Sequence, residues 1–115
     1  MKRDVSLYLK DMLAAMEAIE QFVEGMDFEE FRNDDKTVSA VIRKFESMGE
    51  AARHVPEEVR GRAPDVPWRQ MVGLRNKLIH FYFGIKHELI WETIKSRLPQ
   101  LKKRLRQLLN ELNGM

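Results

Sequence analysis

The sequence predicts an all-α fold, an up-and-down bundle of four main helices with one short extra helix. Apolar residues recur at steps of three and four over long stretches, the spacing of one helical face. No segment alternates with period two while enriched in β-branched residues, so strands are not expected. Residues that start and stop helices stand where the apolar stripes begin and end.

The first stripe, Val5, Leu9, Met12, Met16, Ile19, Val23 and Met26, defines a long amphipathic helix. Gly25 and the acidic, Phe-containing segment from Asp27 to Asp35 interrupt it. Asp34 or Asp35 then caps a second helix, whose inner face is Val38, Val41, Ile42, Phe45, Met48 and Ala52. Pro56 suits the first turn of a short helix reaching Arg62, and the loop Ala63-Pro-Asp-Val-Pro67 resets the chain. Pro67 fits the first position of the next helix, because its missing N–H needs no partner there. Trp68, Met71, Val72, Leu74, Leu78 and Ile79 carry that pattern to Phe83, and Gly84 is a natural stop. A last helix from about His87 turns Ile90, Ile94, Leu98, Leu101, Leu105, Leu108 and Leu112 inward and six Lys and Arg side chains mostly outward. Pro99 should kink or split it by removing one backbone hydrogen bond.

A chain of 115 residues is long enough for one core, so a single domain over residues 1–115 is expected. Hydrophobic residues make up 43% and charged residues 33%, which opposes disorder, and no apolar run approaches the roughly 20 residues of a membrane span. Met1 to Asp4 lead directly into amphipathic sequence, so no secretory signal is expected and the cytoplasm is the default location. With no cysteine, and with His54, His80 and His87 not at ligand spacing for a helix face, neither a structural metal nor a cofactor is expected. The methionines read as adaptable core filler, and His54 and His87 as caps or surface residues. The net charge of +2 hides an asymmetry: residues 1–36 hold five Lys and Arg against ten Asp and Glu, leaving a basic remainder. A basic surface concentrates polyanions such as RNA, although a solvated helix face has the same composition.

The stretch Arg75-Asn-Lys-Leu-Ile-His-Phe-Tyr82 carries the chemistry. Guanidinium keeps its charge and suits phosphate oxygens, while imidazole passes protons near neutrality. On a regular helix Arg75 and His80 stand about 140° apart, whereas Asn76 and His80 are four apart and Tyr82 follows Arg75 by two turns. Either the helix is distorted near Gly73, or a second chain completes the site across a two-fold axis. Such a cleft supports cleavage of RNA by its own 2′-hydroxyl. His80 would accept or donate a proton, Arg75 would stabilise charge on the transition state, and Asn76 would orient the ring or hold a phosphate oxygen. The same residues taken singly also fit a surface arginine, a partly buried histidine and a core-rim tyrosine.

The spacing R-x4-H-x-Y at Arg75, His80 and Tyr82 resembles the signature of the HepT toxins within the HEPN superfamily of small helical RNases. Gly49-Glu-Ala51, Val66-Pro-Trp68, Gly73-Leu-Arg-Asn76, Tyr82-Phe-Gly84, Ile90-Trp91 and Leu98-Pro-Gln-Leu101 are similar to that family in the same order, so the likeness spans most of the chain. The resemblance implies a homodimeric, metal-independent endoribonuclease with Arg75 and His80 of both subunits at the interface. It further implies the toxin of a type VII-like toxin–antitoxin pair, whose partner is an MntA-type nucleotidyltransferase that silences it by AMPylation of Tyr82. Phosphates added there would sit on the guanidinium and repel RNA. A competing expectation is a non-catalytic HEPN subunit that binds nucleotide or partner for a nucleotidyltransferase.

Overall fold

The computed structural model describes residues 4–80 and 86–114, without the side chains of 75–80. Every element among them is helical: α1 (Val5–Phe22), α2 (Phe28–Arg32), α3 (Asp35–Arg53), α4 (Glu57–Arg60), α5 (Trp68–His80), α6 (His87–Glu92), a π-helical segment (Thr93–Arg97) and α7 (Leu98–Asn113). The all-α expectation holds.

Side-chain caps set the starts. Asp4 accepts from the backbone N–H of Ser6 at 2.9 Å, and Asp34 accepts from the N–H and hydroxyl of Thr37 at 3.1 and 2.8 Å. These hydrogen bonds favour the charged carboxylates and hold both aspartates below the usual acid range. Gly25 takes a left-handed φ of 77° just past α1, a conformation that side chains resist. The segment after it is not the plain interruption expected from sequence. Asp27 and Glu30 form a reciprocal capping box, at 2.8 and 3.1 Å, and start α2. That turn lets Phe31 enter the core and meet Trp91 of α6, ring centres 5.2 Å apart.

The predicted stripes form the core. Leu9, Met12, Met16 and Ile19 of α1 are fully buried with Val41 of α3 and Leu98, Leu105 and Leu108 at the chain's end. Met48 and Met71 are also buried, as filler residues should be. Three contacts fix the up-and-down order. Tyr8, near the start of α1, stacks on His54 at the end of α3, centroids 5.0 Å apart. Glu17 and Glu20 of α1 pair with Arg106 and Lys102 of α7, rising numbers against falling ones. α5 begins beside the end of α3 and packs back along it. Neighbouring helices therefore run antiparallel in the order α7, α1, α3, α5.

Pro99 acts through a change of helical winding. Its missing N–H falls in the first turn of α7, and the preceding turn widens to π geometry, with the Leu98 N–H donating to the Thr93 carbonyl. The Thr93 hydroxyl donates to the Leu89 carbonyl at 2.8 Å. The last helix is thus neither cleanly split nor a uniform α-helix.

Candidate active site

α5 carries three of the four predicted site residues, and its first turn is firmly anchored. Pro67 precedes it, and its carbonyl accepts from the Met71 N–H at 3.0 Å. Trp68 is buried, and its indole N–H donates to the Ala63 carbonyl at 3.0 Å. Arg60 of α4 donates to the carbonyls of Val55 at 2.8 Å and Ala52 at 3.0 Å, and lies 6.0 Å from the Trp68 ring. A cation on the end of α3 answers carbonyls that the helix itself cannot satisfy, and it ties α3, α4 and α5 together. Helix α5 is therefore held at the end remote from the motif.

The backbone of α5 is helical without interruption from Trp68 to His80, through Gly73. Sequence left a distortion at Gly73 open, and continuity of the helix removes it. Arg75 falls four residues after Met71 and seven after Trp68, on the stripe those two buried side chains mark. Asn76 and His80 fall on the opposite stripe with Arg69 and Gly73. The predicted site residues of one chain thus divide between two faces. Tyr82 lies outside the described residues.

Gly73 itself is unusual. A glycine inside a helix costs about 1 kcal/mol relative to alanine. Yet a Cβ built there meets no described atom within 4 Å, so packing against the described residues does not require a glycine. Nor does α5 contain an acidic residue, while it holds Arg69, Arg75 and Lys77. Arg69 is exposed and has no hydrogen-bonding or ionic partner among the described residues.

Packing of α1 on α3 also opens a cleft of about 490 Å³ lined by Tyr8, Asp11, Arg43, Glu46, Glu50 and His54. Glu50, from the Gly-Glu-Ala element, accepts from Arg53 at 3.0 Å and stands 3.4 Å from His54. Sequence placed His54 as a cap or surface residue; it ends α3 and also stacks on Tyr8. Tyr8 was not singled out, because residues 46 apart meet only through the antiparallel pairing of α1 and α3. Among the described residues no cluster of His, Asp and Glu is arranged to hold a metal, and no helix is long and apolar enough to cross a membrane.

Comparison with known proteins places this geometry in context. The family described as "Ribonuclease HepT-like" matches residues 12–108. The chain is 42% identical over 113 residues to "Putative RNase MJ0127" of Methanocaldococcus jannaschii, covering 98% of this chain and 93% of that one. It is 43% identical to "Probable ribonuclease HepT" of Thermococcus cleftensis, covering 94% of this chain and 98% of the other. "Putative RNase TTE0752" of Caldanaerobacter subterraneus is 38% identical, over 90% of this chain and 93% of its own length. No solved structure matches the chain.

Proposed function

Because this chain belongs to the ribonuclease HepT-like family, we propose that it is a metal-independent endoribonuclease whose site forms between two copies, and that it acts as the toxin of a toxin–antitoxin pair. One observation carries the shared site: α5 is an unbroken helix through His80. Unbroken winding puts Arg75 and His80 about 140° apart and about 7.5 Å along the axis, too divergent for one chain to aim both at one phosphate. In a two-fold dimer with α5 near the axis, His80 of one protomer meets Arg75 of its partner, and two equivalent sites line one groove.

The chemistry needs a base, an acid and a fixed positive charge. His80 takes the proton as the ribose 2′-oxygen attacks phosphorus, and the bond to the 5′-oxygen breaks. A protonated imidazole returns a proton to that leaving oxygen, giving a 2′,3′-cyclic phosphate and a 5′-hydroxyl. Arg75 faces the negative charge that grows on the phosphoryl oxygens, and Asn76 orients imidazole or phosphate. Tyr82 is the site at which a nucleotidyltransferase antitoxin adds AMP, setting phosphates against Arg75 and closing the groove to RNA.

The test is cleavage of total RNA in excess EDTA. Wild-type protein should degrade it, and His80→Ala should be slower by about 10²- to 10⁴-fold. Intact RNA with both proteins would turn the reading to a non-catalytic subunit of a nucleotidyltransferase complex. After incubation with an MntA-type nucleotidyltransferase and ATP, mass spectrometry should find AMP on wild type and none on Tyr82→Phe.

A further inference from the structure

Arg69 stands near the anchored start of α5, exposed and with no hydrogen-bonding or ionic partner among the described residues; residues 70–85 contain no Asp or Glu. It precedes His80 by eleven residues, three turns and about 20° round the helix, so both fall on one stripe. If His80 faces a partner chain, Arg69 faces it too. Gly73, between them, carries no side chain that would hold the partner off.

The opposite charge collects at the far end of the bundle. Residues 24–35 hold six Asp and Glu against Arg32, and even with Lys36 and Lys86 counted beside them the carboxylates outnumber the cations two to one. Arg60 joins the Trp68 ring to the Ala52 carbonyl, so the start of α5 is level with the end of α3. Equal rise in two antiparallel helices then sets His80 level with about Ala40, and the acidic segment lies at the motif end. Most of these carboxylates are occupied: Glu29 pairs with Arg32, Asp27 and Glu30 form the capping box, and Asp34 caps α3. Glu24 and Asp35 are exposed and have no partner among the described residues.

Resting on the two-fold site above, we propose that Arg69 of each protomer pairs with the partner's Asp35, giving two symmetry-related ion pairs that flank the groove and hold α5 antiparallel to its copy. Setting Arg75 against the partner's His80 centres the axis between those two positions. Arg69, six residues before Arg75, then reaches about 9 Å past the partner's His80, level with the start of the partner's α3, where Asp35 is the open carboxylate. The cationic start of one α5 thus meets the acidic end of the other copy. Because the pairs lie outside the groove, they act on assembly and leave the reacting groups untouched.

Sedimentation velocity over a range of protein concentrations tests the pairing, with circular dichroism to verify that each variant is folded. Arg69→Glu and Asp35→Lys each set two like-charge pairs across the axis, and each should raise the dimer dissociation constant about 100-fold. Mixed in equal amounts, the two variants should assemble to within about fivefold of wild type, because each mixed dimer restores both opposite-charge pairs. RNA cleavage should return with it, since Arg75 and His80 are intact in both chains. Should a reversal variant unfold, the neutral changes Arg69→Gln and Asp35→Asn should each weaken the dimer about fivefold, and their combination no more than either alone. Wild-type dimerisation in both reversal variants would overturn the pair, and so would two monomeric variants that stay apart when mixed. Arg69→Glu that dimerises normally yet loses RNA affinity would overturn it too, giving the arginine to RNA. A mixture that dimerises without cleaving RNA would leave the pair standing and sink the nuclease reading.

Discussion

Helices α5 and α7 are both basic, but they use their charge in opposite ways. In α7, Lys102 pairs with Glu20, Arg106 with Glu17 at 2.6 Å, and Arg104 with Asp65 at 2.9 Å. Two of its four cations are answered by α1 and a third by Asp65, so most of the positive charge of this helix is paired within the chain. In α5, Arg69 meets no carboxylate among the described residues. A count of cations cannot separate these cases, because what draws an anion is charge left without a partner. The longer and more obviously basic helix is mainly scaffold; the shorter one carries the proposed site.

Three perturbations sharpen that contrast. Leu105 is fully buried on α7, and Leu105→Ala should lower unfolding stability by about 2–5 kcal/mol in a denaturant titration. RNA cleavage per folded molecule should stay near wild type, and a selective loss of cleavage would assign α7 more than a structural role. A smaller change is expected from Lys102→Gln, which breaks a half-shielded pair with Glu20. It should cost about 1 kcal/mol or less, with the salt slope of RNA binding unchanged. A flatter slope would mean that Lys102 also touches phosphate.

The weakest effect is one of pH. The Arg104 guanidinium beside Asp65 holds its carboxyl below the ordinary carboxylate value, as backbone and hydroxyl donors do for Asp4 and Asp34. A carboxylate depressed on folding contributes stability that is complete above its unfolded value, and that fades as pH falls through the folded value. Thermal midpoints should therefore be flat from about pH 7 to pH 5 and should drop below about pH 4. Asp65→Asn should shallow that drop slightly, whereas an unchanged acid limb would remove Asp65 from the explanation.

Much of the fold was legible in the sequence because helical periodicity reports burial directly. Leu9, Met12, Val41, Phe45, Leu105 and Leu108 fall inside as their spacing requires. Asp34 was readable as a cap and Pro67 as the residue that admits α5. Less legible was α2, since five residues are too short for a periodic stripe; the signal was the Asp27–Glu30 spacing of a capping box. The π-helical turn before Pro99 was hidden because several local adjustments can absorb a missing N–H. At the site, the division of Arg75 and His80 between faces followed from helix geometry alone. That Arg69 meets no carboxylate among the described residues did not, because only tertiary structure decides which cations find carboxylates. The Tyr8–His54 stack was invisible for the same reason.

If neither face of α5 can act alone, two inactive chains should rescue each other. Arg75→Ala and His80→Ala proteins, each nearly inactive, are mixed, unfolded and refolded together before RNA cleavage is measured. Half of the dimers then pair one chain of each kind, and each such dimer restores one of two sites, so activity should return to about one quarter of wild type. No recovery, with mixed dimers verified by mass, would show that each site draws both residues from one chain and would contradict the shared groove.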